Sequence, residues 1–181
     1  MEVASDKSVC LNHKRNVNLT PVQDPPKEKT LEKELEDVKN CATGWKYHSG
    51  KCYYLSSDEK NWTESRDSCV SMGGHLVIIN SAEEQSFLKQ AMPTQGWEEY
   101  WIGLTDSVNE TDWRWLDNTP LSQTPKYWNE EQFDNWPGNN NEHPEGEDCA
   151  HLILSLNHYS LMDAFCEGKE LKRVCEAIAV K

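Results

Sequence analysis

The sequence predicts an α+β domain in which two helices flank small, mainly antiparallel sheets. Three observations predict this class. A hairpin pattern opens the compact part of the chain, two helical stretches with capping signals follow it, and several short strand-like runs close it. Six cysteines spread through the same region, as in disulfide-linked domains of oxidising compartments. We therefore place the folded domain at residues 41–181 and a tail at residues 1–40.

The first 40 residues are polar, contain three prolines and have almost no aromatic content. This composition predicts a disordered tail and stalk. Near its end, apolar residues fall at the four-then-three spacing of a coiled-coil seam, at Leu31, Leu35 and Val38. Fewer than two heptads cannot hold a coil alone, so we expect a frayed stalk here and the remnant of a multimerising neck in a longer parent.

The hairpin and the first helix open the domain. Aromatic and polar residues alternate on both sides of Ser49-Gly50, as in a β-hairpin. Thr63 is the predicted N-cap of the first helix, and Gly73-Gly74 is its predicted end. Residues 75–80, H-L-V-I-I-N, then predict a short buried strand.

The second helix begins at a predicted capping box formed by Ser81 and Glu84. Phe87, Leu88 and Ala91 follow at helical spacing and are predicted to face the core. The runs Y-W-I-G-L-T-D and D-W-R-W-L-D come next and predict strands. Residues 149–156 and 171–178 predict the last two strands.

An acidic stretch from Trp128 to Cys166 interrupts these strands. Prolines and glycines at positions 137, 138, 144 and 146 break any regular element, so its polar side chains are predicted to lie on loops. Carboxylates and amides that converge in this way favour a hard cation, and calcium fits best. The candidate ligands are Gln132, Asp134, Asn135, Glu147, Asp148 and Asp163.

Charge and cysteine spacing argue against two classes of function, nucleic-acid binding and zinc binding. The net charge of −13 argues against nucleic acid, because phosphate binding requires a basic face. No pair of C-x-x-C motifs or spaced histidines predicts zinc. The chain has seven cysteines, and Cys10 stands apart in the tail, where it either bridges two chains or remains a thiol. The other six allow fifteen pairings.

The cysteines indicate the secretory path, but the sequence shows neither a signal peptide nor an apolar membrane span. We therefore expect this chain to be a fragment or splice form that lacks its anchor. The localisation predicted for the parent is the extracellular side of the plasma membrane or secretion.

Several motifs in order resemble the C-type lectin domain: W-T-E-S-R-D-S-C, G-G-H-L-V-I-I, E-E-Q-S-F-L, Y-W-I-G-L-T-D, G-E-D-C-A-H and the terminal V-C-E. The nearest subgroup is similar to the asialoglycoprotein-receptor and macrophage galactose-type lectins, which are type II membrane receptors. The resemblance covers residues 41–176. It implies that fold, with a long irregular loop region for calcium and ligand. It also implies three disulfides, namely Cys41–Cys52, Cys69–Cys175 and Cys149–Cys166.

The resemblance also implies a calcium ion that binds sugar directly. The family's galactose-type Q-P-D motif, followed two residues later by Trp, matches residues 132–136 here. Trp136 would stack on the apolar face of galactose. The positions that match ligands of this ion are Gln132, Asp134, Glu147 and Asp163.

A second, structural calcium is implied beside the first. All of its matching positions carry oxygen, so this site is predicted to be better preserved than the sugar site. They are Asp106, Glu110, Asn135, Glu147 and Asp148.

Two residues depart from the family pattern. Phe133 replaces a proline whose preceding bond is cis, so we expect a trans bond and an altered loop here. Met162 stands where an asparagine oxygen would bind calcium, and a thioether is a poor calcium ligand. Three N-glycosylation sequons begin at Asn18, Asn61 and Asn109.

The predicted function is therefore calcium-dependent binding of galactose or N-acetylgalactosamine glycans by an immune-type receptor with a partly degenerate sugar site. Expected partners are glycans or glycoproteins, and a second copy of the chain through the neck. The alternative is a lectin-like receptor for a protein or another non-sugar ligand, and an ice-binding variant of the fold is a further class. An enzyme is not expected, because His143, His151 and His158 have no matching nucleophile.

Overall fold

The computed structural model describes residues 41–93, 96–124, 130–155 and 158–180. For residues 130–132 and 158 it describes the backbone only. The predicted tail, its coiled-coil seam, Cys10 and the Asn18 sequon lie outside the described residues. In the described ranges, no helix has the length and apolar character needed to cross a membrane.

Two ten-residue helices pack on the sheets, as the sequence predicts: α1, Trp62–Ser71, and α2, Ala82–Ala91. The predicted cap of α1 is wrong. Asn61, and not Thr63, caps it, because the Asn61 side chain accepts a hydrogen bond from the backbone N–H of Glu64 at 2.8 Å. Ser81 caps α2 as predicted, at 3.1 Å from the Glu84 nitrogen.

Within the described ranges, nine strands form the sheet. In chain order they are β1 Lys46–His48, β2 Lys51–Leu55, β3 His75–Leu76, β4 Glu98–Thr105, β5 Arg114–Trp115, β6 Glu130–Gln132, β7 Cys149–Ser155, β8 His158–Ala164 and β9 Lys172–Ile178. The spatial order is β1-β2-β9-β4-β7-β8-β6, with β3 on β9 and β5 on β4. The β4–β9 and β6–β8 pairs are parallel, and the remaining pairs are antiparallel.

The loop prediction for the acidic stretch is partly wrong. Gln132 ends strand β6 and Asp163 lies within β8, and neither belongs to a loop. The sequence hides β8 because Tyr159, Leu161 and Asp163 are buried together, so a carboxylate occupies a position that the pattern reserves for apolar residues. The predicted strand at residues 75–80 is only two residues long, although Val77 to Ile79 are buried.

Buried apolar residues form two clusters. The larger one lies between α2 and strands β4, β7 and β8, and Leu88, Ile102 and Leu152 are fully buried in it. The smaller one surrounds α1 and includes Trp62 and Trp101. Their indole N–H groups donate to the backbone oxygens of Ile102 and Lys60, at 2.9 and 2.8 Å, so α1 is fastened to the sheet.

The structure contains the three disulfides that the resemblance implies. Cys41–Cys52 joins the start of the domain to β2, and Cys69–Cys175 joins α1 to β9. Cys149–Cys166 joins the start of β7 to the turn after β8. This last bond fixes the two segments that carry Glu147 and Asp163.

Candidate functional site

Three predicted sugar-site carboxylates meet at one point of the loop region. The carboxylate oxygens of Asp134, Glu147 and Asp163 lie within 4.8 Å of one another. We call these three residues the acidic cluster. Asp134 is exposed, Glu147 is half-buried, and Asp163 is 6% exposed, so the cluster opens to solvent on one side. In the described part of the chain, no other group of three acidic, histidine or cysteine side chains is gathered so closely.

Asn135 holds this cluster together through its backbone and its side chain. Its N–H donates to Asp163 Oδ2 at 2.9 Å, and its Oδ1 accepts from the Glu147 N–H at 2.7 Å. Its φ of 47° is left-handed, a conformation that asparagine tolerates better than most residues. The sequence predicts Asn135 as a structural-calcium ligand, but here its oxygen faces the backbone beside the acidic cluster.

Gly146 makes the hydrogen bond between Asn135 and Glu147 possible, a role that the sequence pattern alone does not predict. A Cβ on Gly146 would lie 1.7 Å from Asn135 Oδ1, and the φ of 80° at Gly146 already favours glycine. The loop can therefore approach Asn135 only if position 146 has no side chain. The G-E-D-C motif was the available signal, because a glycine directly before two ligands indicates a close approach.

The acidic cluster has the electrostatics of a cation site. Burial, followed by the negative charges of Asp163 and Asp134, raises the pKa of Glu147 to about 7. Burial also raises the pKa of Asp163, although the hydrogen bond from the Asn135 N–H acts to lower that pKa. The three carboxylates repel one another, and a divalent cation between them would offset that repulsion.

The donors of the cluster fit calcium. Calcium takes oxygen ligands at about 2.3–2.6 Å, so two oxygens on the same ion lie within about 5 Å of each other. The carboxylate oxygens of the cluster meet that condition. The residues that would hold the ion are Asp134, Glu147 and Asp163.

Gln132 and Met162 lie side by side in the backbone. Strand β6 runs parallel to β8, and Gln132 pairs in register with Met162. The Gln132 side chain lies outside the described residues. Met162 is half-buried and directly precedes Asp163 in β8, and successive side chains of a strand point to opposite faces of the sheet.

Phe133 connects the loop to the core. Its ring stacks on Trp113 with centroids 4.3 Å apart and an interplanar angle of 18°. Among the described residues no peptide bond is cis, so the trans bond expected before Phe133 is confirmed. The residue that replaces the family's proline therefore anchors the loop by aromatic packing.

Trp136 presents its ring near the acidic cluster, with 44% of its surface exposed. It contacts Phe165, with ring centroids 5.8 Å apart, and Phe165 contacts His143 at 4.2 Å. Part of the Trp136 ring is thus accessible from solvent, and its predicted stacking on a sugar stays a prediction. Phe165 and His143 were not singled out as partners of Trp136.

Three of the predicted structural-calcium residues, Asp106, Glu110 and Asp148, lie close enough for their charges to affect one another. Burial, and then the charges of Glu110 and Asp148, raise the pKa of Asp106 to about 6. Asp106 Oδ1 and Asp148 Oδ1 are buried and accept no hydrogen bond within the described residues. Two unpartnered buried oxygens are consistent with a cation. Glu110 is exposed, as Asp134 of the acidic cluster is. The expectation that the structural site is better preserved than the sugar site stays a prediction.

The two described sequons differ in environment. Asn109 is exposed in a turn, where its backbone N–H donates to the backbone oxygen of Asp106 at 2.9 Å. Asn61 is half-buried and is committed to capping α1 through its side-chain oxygen. Glycosylation at either residue remains a prediction.

His151 is a buried structural histidine. It is 1% exposed, and its Nε2 lies 3.3 Å from Glu99 Oε2 and 3.3 Å from Lys169 Nζ. Burial lowers its pKa, which favours the neutral imidazole. His143 is half-buried against Phe165, and the side chain of His158 is outside the described residues.

Known proteins resemble this chain over the same region. The family described as the Lectin C-type domain matches residues 58–177. The chain is 43% identical over 118 residues to C-type lectin domain family 4 member F of Mus musculus. This match covers 64% of the present chain and 20% of the mouse protein. It is 37% identical over 145 residues to C-type lectin domain family 4 member E of Homo sapiens, which covers 79% of this chain and 62% of that protein.

A solved structure agrees with these relatives. The carbohydrate-recognition domain of the mouse scavenger receptor C-type lectin superposes with a TM-score of 0.64 at 38% identity. The match covers 78% of this chain and 98% of that one. The chain spans less than two thirds of the two curated relatives named above. Since the family match extends over more than half of the sequence, the predicted fold is confirmed, and the chain belongs to the C-type lectin domain family.

Proposed function

We propose that this domain binds glycans that end in galactose or N-acetylgalactosamine, with calcium held at Asp134, Glu147 and Asp163 and Gln132 as a further ligand. One observation carries the proposal, namely the convergence of three predicted ligand carboxylates within 4.8 Å. Bound calcium would supply coordination positions for two neighbouring sugar hydroxyls. The related mouse domain carries carbohydrate recognition in its name, which supports the same class of ligand.

The protein's own residues orient the sugar in this proposal. The ligand carboxylates accept hydrogen bonds from the sugar hydroxyls, and Asn135 keeps Glu147 and Asp163 in place. The exposed ring of Trp136 packs on the apolar face of galactose. The order of amide at position 132 before acid at position 134 supports galactose over mannose through the family resemblance.

The test is a glycan array probed with the full chain, first with calcium and then with a chelator. Galactose-terminated glycans should bind only with calcium. Asp163→Asn should abolish binding because it removes a charge from the acidic cluster. Glu142→Gln is the matched control, since it removes a charge from an exposed position of the same loop and should bind like the unmodified chain. Glycan binding that persists in chelator would contradict the proposal.

We also propose a second, structural calcium at Asp106, Glu110 and Asp148, with Glu147 and Asn135 nearby. The two unpartnered buried oxygens support it. Calcium that binds only the folded state raises the Tm by mass action. Asp106→Asn should reduce that rise, measured by calorimetry with and without calcium. If calcium raises the Tm of Asp106→Asn as much as that of the unmodified chain, the proposed second site is incorrect.

A lectin-like receptor for a protein ligand is the second candidate. Met162 favours it because a thioether stands where the family resemblance implies an oxygen ligand, and so does the altered anchoring of the loop by Phe133. This candidate predicts that no glycan binds in calcium and that partner binding survives chelation.

The setting of the domain is part of the same proposal. Three disulfides support an extracellular receptor or a secreted protein, active by binding and without catalysis. Homo-oligomerisation through the predicted neck and glycosylation at Asn61 and Asn109 remain proposals. Sedimentation of the full chain tests the first, and mass spectrometry of secreted protein tests the second.

A further inference from the structure

A cavity of about 280 Å³ lies at the turn that joins β4 to β5. Its lining includes Val108 and Asn109 of that turn, Trp115 of β5 and Leu116 directly after it. The volume is just below that of drug-sized ligand sites, about 300–1,000 Å³, so a small occupant suits it. Asn109, which begins a glycosylation sequon, therefore stands in the wall of a preformed hollow.

Apolar groups of this cavity reach solvent. Val108 is 96% exposed and Leu116 is 36% exposed. Trp115 is buried, and its indole N–H already donates to Thr124 Oγ1 at 3.2 Å, so the polar group of the ring is bonded elsewhere. Single exposed apolar residues are common on protein surfaces. Two of them beside one hollow indicate a surface that another group covers.

Backbone hydrogen bonds fix the turn that carries Asn109. Its N–H donates to the backbone oxygen of Asp106 at 2.9 Å, and its own backbone oxygen accepts from the Asp112 N–H at 3.0 Å. The N–H of Thr111, the third residue of the sequon, donates to Asp106 Oδ2 at 2.9 Å. A group attached to the exposed side chain of Asn109 therefore starts from a defined point at the cavity.

Polar groups at the rim suit a neutral amino sugar. Arg114 Nε donates to Asp112 Oδ2 at 2.8 Å, and its Nη1 donates to the backbone oxygen of Asn118 at 3.2 Å. The charges of Arg114 and Asp112 offset each other, so this pair favours neither an anion nor a cation. N-acetylglucosamine offers an apolar ring face and an acetyl methyl to the apolar lining, and hydroxyl groups to the rim.

We propose that a glycan on Asn109 folds back into this cavity, where its first N-acetylglucosamine residue covers Val108 and Leu116. The inference rests on the glycosylation of Asn109 proposed above and adds what the glycan contacts. Glycosylation joins Asn109 Nδ2 to the anomeric carbon of the sugar, while the amide loses one proton and a lipid diphosphate leaves from the lipid-linked oligosaccharide donor. Attachment supplies an effective concentration of about millimolar, so even a weak contact is populated.

The experiment uses the full chain with Asn18→Gln and Asn61→Asp, so that Asn109 holds the remaining sequon. The protein is secreted from a eukaryotic host behind a supplied signal peptide and is trimmed enzymatically to one N-acetylglucosamine. Mass spectrometry should find this sugar on Asn109. Nuclear Overhauser spectra should then show contacts between the acetyl methyl and the methyl groups of Val108 and Leu116.

Stability gives a second measure. At one fixed calcium concentration, the trimmed chain should have a Tm about 2–4 °C above that of the Asn109→Gln variant. Val108→Ala should reduce this difference, because it removes part of the surface that the sugar covers. Val70→Ala is the matched control, since Val70 is an exposed valine of α1 that does not line the cavity, and here the difference should be unchanged.

A sugar on Asn109 that shows no methyl contact would overturn the inference, and so would a Tm difference that Val108→Ala leaves unchanged. Either result would leave the glycosylation intact and assign the cavity to a different occupant. An unmodified Asn109 in the secreted chain would overturn the inference and the glycosylation together. Calcium-dependent glycan binding at the acidic cluster is tested separately by the glycan array.

Discussion

At the scale of single residues, the geometry of the acidic cluster depends on a few positions whose backbone and side-chain groups both contact it. Asn135 is the main one, since it contacts both Glu147 and Asp163 while holding a left-handed φ. Gly146 allows that contact, and Met162 offers sulfur where the family resemblance implies an oxygen ligand. Phe133 does not simply damage the loop, because its stacking on Trp113 replaces the rigidity of a proline.

Met162→Asn should increase calcium-dependent galactose binding, because it restores an oxygen next to Asp163. Affinity at such a shallow site starts near the millimolar range, about −4 kcal/mol, so the gain is measured best by calorimetry at high sugar concentration. Adding Phe133→Pro should increase binding further. It should also lower stability, since the stacking on Trp113 is lost at about 0.5–1.5 kcal/mol.

Trp136→Ala is the control for that series and should remove the gain, because it deletes the face on which galactose packs. If the unmodified domain binds galactose as well as the Met162→Asn variant does, the role given to position 162 is incorrect.

Gly146→Ala should prevent the loop from closing on Asn135, because the new Cβ would lie 1.7 Å from its oxygen. We expect destabilisation of at least about 1 kcal/mol from the left-handed φ, plus loss of the calcium-dependent rise in Tm. Gly96→Ala is the matched control. Gly96 has a φ of 104° with no neighbour within 4 Å, so only the backbone cost applies there. If calcium still raises the Tm of Gly146→Ala as much as that of the unmodified chain, the contact between Asn135 and Glu147 is not needed for calcium binding.

At the scale of elements, short strands and short helices place the site. Strand β8 carries Met162 and Asp163, and its antiparallel partner β7 begins immediately after Glu147 and Asp148. The register pairs Ala150 with Asp163, so the two ligand-bearing segments leave the sheet at the same end. The start of α1 contributes Trp62 and Arg66 to the wall of a cavity that Gly146 and Phe165 also line. The sheet therefore positions Asp163, and the loop at residues 133–148 carries Asp134 and Glu147, the other two carboxylates proposed to hold calcium.

The cap of α1 gives a prediction at this scale. Asn61→Ala should lower the free energy of unfolding by about 1 kcal/mol, because the backbone N–H of Glu64 loses its acceptor. Asn61→Asp removes the sequon but keeps an acceptor, so its stability should stay within about 0.5 kcal/mol of the unmodified chain. Urea unfolding of unglycosylated protein measures both. Equal stability of all three chains would show that the cap contributes nothing.

At the scale of the whole molecule, disulfides connect elements that are distant in sequence. Cys69–Cys175 closes 106 residues and joins α1 to β9, and Cys41–Cys52 closes only 11. The chain-entropy treatment gives about 5 kcal/mol for the long loop and about 3 kcal/mol for the short one. The long disulfide is therefore the main covalent constraint on the fold.

Replacing Cys69 and Cys175 together by alanine should cost more stability than replacing Cys41 and Cys52 together, by about 2 kcal/mol. Denaturant unfolding of the two double variants, with the remaining disulfides intact, makes the comparison. Equal costs for the two pairs would mean that loop length does not set the contribution.

The sequence by itself determined the class of this protein, because local signals are sufficient for that. Periodicity and capping residues gave two helices, turn residues gave the opening hairpin, and motif order gave the family with its three disulfides. Through the family resemblance it also named Gln132, Asp134, Glu147 and Asp163 as expected calcium ligands, and all four residue types carry the oxygen that calcium prefers. Tertiary structure decided what depends on distance. Gln132 and Asp163 lie on strands, and the Asn135 side chain accepts a hydrogen bond from Glu147 beside the acidic cluster. This contact requires glycine at position 146, and Phe165 lines a cavity. Those outcomes arise from contacts between residues far apart in the chain, where packing geometry and not local propensity sets the free energy.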